Sequence, residues 1–222
     1  MAPKKVVGKN RILLGGKTDG SYVFLDDFDK IKIAYSFGIS NVIQCDEELA
    51  KKGIDVYMYD HTINGLPFNN SKFHWSKIGL GGINSTDPNL KTLEELIKEN
   101  KHENEDNMIL KIDIENSEWE ALKDLPDYIL KKFKYIVIEY HMNLPESEGQ
   151  LYYSVFKKMH KFHQPFYFRC NGIQHIAQFG NNRFCMFIEI SYVIRENNIF
   201  TKDDSIYPIP ELDIGEQPRK KK

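Results

Sequence analysis

Residues 135–141 read YIVIEYH, with five apolar or aromatic side chains in seven. This run constrains the fold more than any other. A strand with one face in water alternates apolar and polar residues, whereas a strand covered on both faces is apolar almost throughout. Sheets covered on both faces are built from parallel strands whose crossover connections carry helices. The rest of the chain fits that plan. KIAYSF (32–37) reads as a first strand, followed by a helix over IQCDEELAKKG that stops at Gly53. DVYMYD is a second strand ending at Asp60, FHWSKIG a third, and TLEELIKENK a helix that Thr92 is placed to cap. MILKIDI is a fourth strand. The helix SEWEALKDL follows, with Ser117 as cap and Glu120 three residues on as its capping-box partner. After YIVIEYH come a helix over 148–162 and two strands, PFYFRC and RFCMFIEISYV, with no helix between them. The expected fold is α/β: a Rossmann-like, seven-stranded, mostly parallel sheet with helices on both faces and an antiparallel C-terminal hairpin.

The 222 residues are enough to bury a core without staples. They divide into one expected domain over 1–207 and a loose, Pro-rich and basic tail over 208–222. Thirty basic against 32 acidic side chains leave a formal charge of -2, which argues against a broad nucleic-acid-binding face. No apolar run approaches the ~20 residues of a membrane span, and MAPKKVVGKN lacks the apolar stretch of a signal peptide. These features predict a cytoplasmic protein, monomer or homodimer, with no membrane span. Cys45, Cys170 and Cys185 are odd in number and show no Cys-x-x-Cys, so buried, inert thiols are expected rather than a disulfide or a zinc knuckle. His160 and His163 near a helix end read as a cationic C-terminus rather than half of a zinc site.

Open parallel sheets bind ligands beyond the carboxyl ends of their strands, where strand order switches. The residues there are Ser36 and Gly38; Asp60, His61 and Thr62; Gly79; Asp113 and Glu115; and Glu139 with His141. Carboxylates at three adjacent strand ends are hard to explain by packing, because a buried charge needs a partner. Asp60 follows Gly38 by 22 positions, close to the spacing of about 20 at which an acidic residue holds a ribose diol in nucleotide sites. A helix cap or a surface turn is the plainer role for it. SFGISNVIQ has one glycine and not the G-x-G-x-x-G that lets backbone approach a pyrophosphate. That combination suits a cofactor with a ribose and no phosphate, of which S-adenosylmethionine is the common one.

AYSFGIS, ELAKKGIDVYMYDHTI, LKIDIENSEWEAL and YIVIEYH, in this order, resemble the S-adenosylmethionine-dependent methyltransferases of the FkbM type. LKIDIENSEWEAL is the most specific segment. It is similar to the K-I-D-I-E-G-x-E-x-x-x-L of that family, with Asn116 where glycine is usual; asparagine tolerates a left-handed backbone. RILLGGKTDGSYVFLD resembles an R-x-G-x-x-x-D-G-G-Y-V entry segment, with Ser21 in place of the second glycine. The likeness covers roughly residues 11–195. It implies a class I methyltransferase sheet with S-adenosylmethionine lying across the first two strands. In that arrangement Asp19, Gly20 and Tyr22 lie over the amino-acid end of the cofactor, and Ser36 and Gly38 approach its methionine part. Asp60 holds the ribose hydroxyls, His61 and Thr62 flank the adenosine, Gly79 lets backbone pass close to the adenine, and Asp113 faces the sulfonium.

Methyl transfer is an in-line displacement, so the protein aligns the acceptor and, for a hydroxyl, removes its proton. The candidate bases are His141, Asp113, Glu115 and Glu139, with His141 closest to neutral pH at about 6.5. Glu115 and Glu118 also suit a helix N-terminus without further purpose. The same set could hold a divalent cation, but no spacing defines a ligand set, and no metal is expected. Arg169, Asn171 and His175 are placed to contact the acceptor, Arg169 through a phosphate or carboxylate. Trp119 and Tyr140 read as core. The leading function is an O-methyltransferase acting on a small or saccharide-linked acceptor. The resemblance points to a sugar hydroxyl or a sugar-attached phosphoramidate, in natural-product or surface-glycan pathways such as capsular polysaccharide. The rivals are a nicotinamide-dependent oxidoreductase and a non-catalytic nucleoside-binding module.

Overall fold

The computed structural model describes residues 2–142, 149–171, 176–179 and 182–213. A short strand β1 (Lys4–Val6) precedes a hairpin of β2 (Arg11–Leu14) and β3 (Tyr22–Leu25). Then come β4 (Ile33–Phe37), α1 (Gln44–Lys51), β5 (Asp55–Tyr59) and β6 (Phe73–Ser76). β7 (Gly79–Leu80) pairs in parallel with β8 (Leu90–Lys91). They are followed by α2 (Leu93–Glu99), β9 (Met108–Ile112), α3 (Glu118–Lys123), α4 (Asp127–Leu130), β10 (Phe133–His141) and α5 (Gly149–Phe162). The chain closes with β11 (His163–Cys170), β12 (Ile176–Phe179), β13 (Asn182–Cys185), β14 (Phe187–Ile194) and β15 (Phe200–Lys202), which pairs with β1.

The central sheet has seven strands in the order β11-β14-β10-β9-β4-β5-β6. β10, β9, β4, β5 and β6 are mutually parallel. β14 runs antiparallel to both β10 and β11 and lies between them, so the earlier strand of the closing pair becomes the edge. This mostly parallel α/β architecture is compatible with a Rossmann-like methyltransferase fold. Strand order reverses between β4 and β9, so the crevice beyond their carboxyl ends lies between Phe37 and Ile112.

Alternation along the strands sorts the core into two layers. Tyr35, Phe37, Leu110, Ile112, Ile136 and Ile138 pack with residues of α2, α3 and α5. Ala34, Val56, Met58, Ile109, Tyr135 and Val137 pack with α1 and the β2–β3 hairpin. β9 and β10 are buried almost end to end, as their apolar runs require. Trp119 and Tyr140 are core residues.

Two helix starts differ instructively. Thr92 caps α2 in a reciprocal capping box with Glu95. The equivalent box expected at Ser117 and Glu120 does not form, and Ser117 makes no side-chain cap bond. Upstream, Glu115 and Asn116 take φ of +52° and +79°, and Ser117 has helical dihedrals rather than the extended backbone of a capping residue. Of the expected loose tail, residues 208–213 are described; Leu212 is buried, and its carbonyl accepts from the Arg169 guanidinium.

The cysteine expectation is corrected. Cys170 and Cys185 form a disulfide, and Cys45 is the one buried free thiol. Cys170 ends β11 opposite Ile188 of β14. That register carries Cys185, three residues earlier, back to it. Spacing along the sequence does not show this, because the two meet only once β14 has paired with β11.

Candidate active site

The crevice is closed at its floor by two loops in van der Waals contact. Gly38 follows β4 with φ +75°, and a Cβ there would lie 1.5 Å from the Asp113 carbonyl oxygen. Only glycine lets these two strand ends approach so closely. Asp60, at the end of β5, fixes the same loop. One of its oxygens accepts from the amides of Ile39 and Ser40, both at 2.9 Å; the other accepts from the Thr62 amide at 2.8 Å and hydroxyl at 2.6 Å. Burial raises its pKa, but those hydrogen bonds outweigh it and leave the carboxyl below its ordinary value. Asp60 was expected to hold a ribose. Its carboxylate, with about four acceptor positions, accepts four hydrogen bonds from its own chain. Ser36 is fully buried and its hydroxyl has no hydrogen-bond partner among the described residues.

His61 stands over the backbone of Gly79: a Cβ at Gly79 would meet its Nδ1 at 2.4 Å. The room that Gly79 leaves is therefore taken by the imidazole. In the entry segment, Gly20 has φ +78° and presses against Val42. Tyr22 is buried, and its hydroxyl donates to Asp113 at 3.2 Å.

Asp113, Glu115 and His141 converge beyond β9 and β10, with one ligand-capable atom of each within 4.8 Å of the others. His141 is buried between two carboxylates. Its Nε2 is 3.4 Å from Glu115, which is 84 % exposed, and its Nδ1 is 3.1 Å from the wholly buried Glu118. Burial lowers the imidazole pKa, but the Glu118 hydrogen bond and the charges of Glu118, Glu115 and Asp113 leave it raised. The Asp113 carboxyl is raised by burial, against the opposing pull of Lys111 and His141. The Asp113–Glu115–His141 set has the oxygen and nitrogen donors of a divalent-cation site.

Glu139 is buried one residue from Tyr140 on the same strand. Burial, then the charges of Asp113 and Glu189, hold its carboxyl well above the usual range. Asn171 donates to Glu139 at 3.1 Å and to Asp19 at 3.2 Å, tying the β11 end to the entry segment. Arg169 is turned inward. It is 3 % exposed, and its guanidinium pairs with Glu189 at 2.6 Å and donates to the Ser21 carbonyl at 2.5 Å. Alternation explains this: Arg169 faces the layer of Tyr22, while Phe168 and Cys170 beside it are exposed. His175 lies outside the described residues.

The sequence reading missed three residues of the site. Glu118 is one. Glu189 is another, its carboxyl pushed up to about 7 by burial despite Arg169. The third is Lys111, buried beneath the Tyr22 ring at 5.4 Å with Asp46 4.0 Å away. The lysine within the apolar run MILKI was the available signal, since an isolated cation in a buried strand needs an anion.

A mostly parallel sheet places an acid-rich crevice at its switch point, with a histidine held between carboxylates. A model of the methyltransferase FkbM domain matches residues 19–179. The chain belongs to the FkbM methyltransferase family, which points to methyltransferase activity. None of the curated proteins compared with the chain matches it. No helix among the described residues is long and apolar enough to cross a membrane.

Proposed function

We propose that this protein is an S-adenosylmethionine-dependent O-methyltransferase acting on a small or saccharide-linked acceptor, a sugar hydroxyl or a sugar-attached phosphoramidate. The observation that carries the reading is the charge of the crevice. The buried cations Lys111 and Arg169 each have an acidic neighbour of their own, Asp46 and Glu189. The carboxyls of Asp113 and Asp19 lie beyond these pairs, with that of Glu139 bridged to Asp19 through Asn171. Such a cleft suits a ligand bearing positive charge, and the sulfonium and ammonium of S-adenosylmethionine supply it. When bound, that cofactor provides an electrophilic methyl group.

Asp19, Gly20 and Tyr22 cover its amino-acid end in this proposal, with Ser36 and Gly38 below. His61 and Thr62 border the adenosine beside Gly79. Asp60 orders the loop at 38–40 and receives a ribose hydroxyl by releasing the rotatable Thr62 hydroxyl. The acceptor's proton passes to His141 Nε2, which takes it up in its neutral form. Glu115, on the solvent side of the imidazole, and Asn171 line the acceptor's approach. Glu139, its carboxyl raised by burial, accepts from Asn171 beside that approach. Acceptor choice falls to the segments around 141–150 and 169–183.

The test is calorimetric titration with S-adenosylhomocysteine and, separately, with NAD. Binding of the former at micromolar affinity and none of the latter is expected. The reverse result would replace this reading with the nicotinamide-dependent one.

A further inference from the structure

His141 is the last residue of β10, and three residues from the start of α3 and the neighbouring strand hold it in place. The buried Glu118 carboxylate accepts from the His141 amide at 2.5 Å and from its Nδ1 at 3.1 Å, through the same oxygen. The next residue, Trp119, donates its indole N–H to the His141 carbonyl at 2.7 Å. The Phe187 ring lies 4.8 Å from the imidazole. One turn of helix therefore grips both backbone groups and one ring nitrogen of a single residue.

The two carboxylates beside the imidazole are not equivalent. Glu115 is in water, where a charge pair is screened and weak. Glu118 is fully buried, and its other oxygen has no hydrogen-bond partner among the described residues. An unpaired buried carboxylate is costly, so an arrangement that leaves half of Glu118 unpartnered needs a compensating neighbour. An Nδ1–H donor, strengthened whenever the ring carries positive charge, is that neighbour.

We infer that Glu118 is the positioning residue of the site: it fixes His141 as the Nδ1–H tautomer, leaves Nε2 facing the crevice, and stabilises the imidazolium that forms when Nε2 takes up the acceptor's proton. The inference rests on the proposed role of His141 as base. The step balances: the acceptor O–H bond breaks as an Nε2–H bond forms, the acceptor oxygen gains the methyl group as the donor S–C bond breaks, and the proton stays on His141 until solvent removes it.

Asp113, Glu115 and Glu118 are the charged groups facing His141, so their separate effects are measurable. Glu118→Gln keeps an oxygen for the His141 amide and removes the charge. The proton resonances of the His141 ring in the full-length protein, without acceptor, are expected to titrate about one pH unit lower in Glu118→Gln. Glu115→Gln is expected to shift them far less. In turnover, kcat falls by about tenfold or more while the KM for cofactor stays within twofold, and the rising limb of the pH profile moves to lower pH. An unchanged His141 titration with a folded variant overturns the inference. So does a shift as large in Glu115→Gln as in Glu118→Gln. If Glu118→Gln does not fold, Glu118→Asp serves, with the titration expected between wild type and a His141 freed of its carboxylate; wild-type titration there also overturns it. The titration needs no substrate, so failure of the methyltransferase reading, seen as absent S-adenosylhomocysteine binding, is a separate outcome.

Discussion

The Gly38 α-carbon and the Asp113 carbonyl oxygen are so close that a single added methyl group would sit 1.5 Å from that oxygen. The contact joins the ends of β4 and β9 at the point where strand order reverses, and Gly38 further donates its amide to the Tyr59 carbonyl. Gly38→Ala must push backbone against backbone at a left-handed φ. It is expected to lower stability by at least about 3 kcal/mol, read as the urea midpoint. A variant as stable as the wild type would mean that the two strand ends are further apart than described.

Asp60 predicts a pH-dependent stability. Its folded pKa is below its ordinary value, so the stabilisation is full above the unfolded value of about 4 and is lost as pH falls through the folded pKa. Asp60→Asn is expected to cost about 1–3 kcal/mol at pH 7, and the gap to wild type is expected to narrow below pH about 4. Urea titrations of both proteins at pH 7 and pH 3 measure this. A gap that persists undiminished at pH 3 would show that the charge is not what holds the loop.

Arg169 separates a structural role from acceptor binding. Arg169→Met leaves Glu189 buried without its cation, at an expected cost of about 3–5 kcal/mol. The double change Arg169→Met with Glu189→Leu is expected to recover most of that. Thermal unfolding of the three proteins gives the answer. A stable single variant with a weakened acceptor KM would return Arg169 to the acceptor.

Proton transfer to His141 requires no cation, so turnover is expected to survive dialysis against EDTA. Loss of activity on chelation, restored by Mg2+ and abolished in Asp113→Asn, would reassign Asp113, Glu115 and His141 as ligands of a divalent ion.

Much of this protein is legible in the residue pattern alone. The continuous apolar runs MILKI and YIVIEYH determine that two strands are covered on both faces, which forces helical crossovers and a mostly parallel sheet. Gly53 and Thr92 mark helix boundaries by local rules that need no tertiary information. Strand ends then place Gly38, Asp60, Asp113 and His141 on one rim. Asn116 takes the left-handed backbone expected of a residue standing in for glycine.

Pairings between distant segments were decided only by the tertiary structure. The Cys170–Cys185 disulfide and the inward turn of Arg169 both depend on β14 entering the sheet between β10 and β11. Glu118 reads locally as one more acidic residue at a helix start. Its capture of His141, 23 residues away, exists because β10 ends against the first turn of α3. Sequence periodicity fixes which face a side chain occupies. Which partner it meets there depends on strand order and register, and those minimise the free energy of the whole sheet rather than of any segment of it.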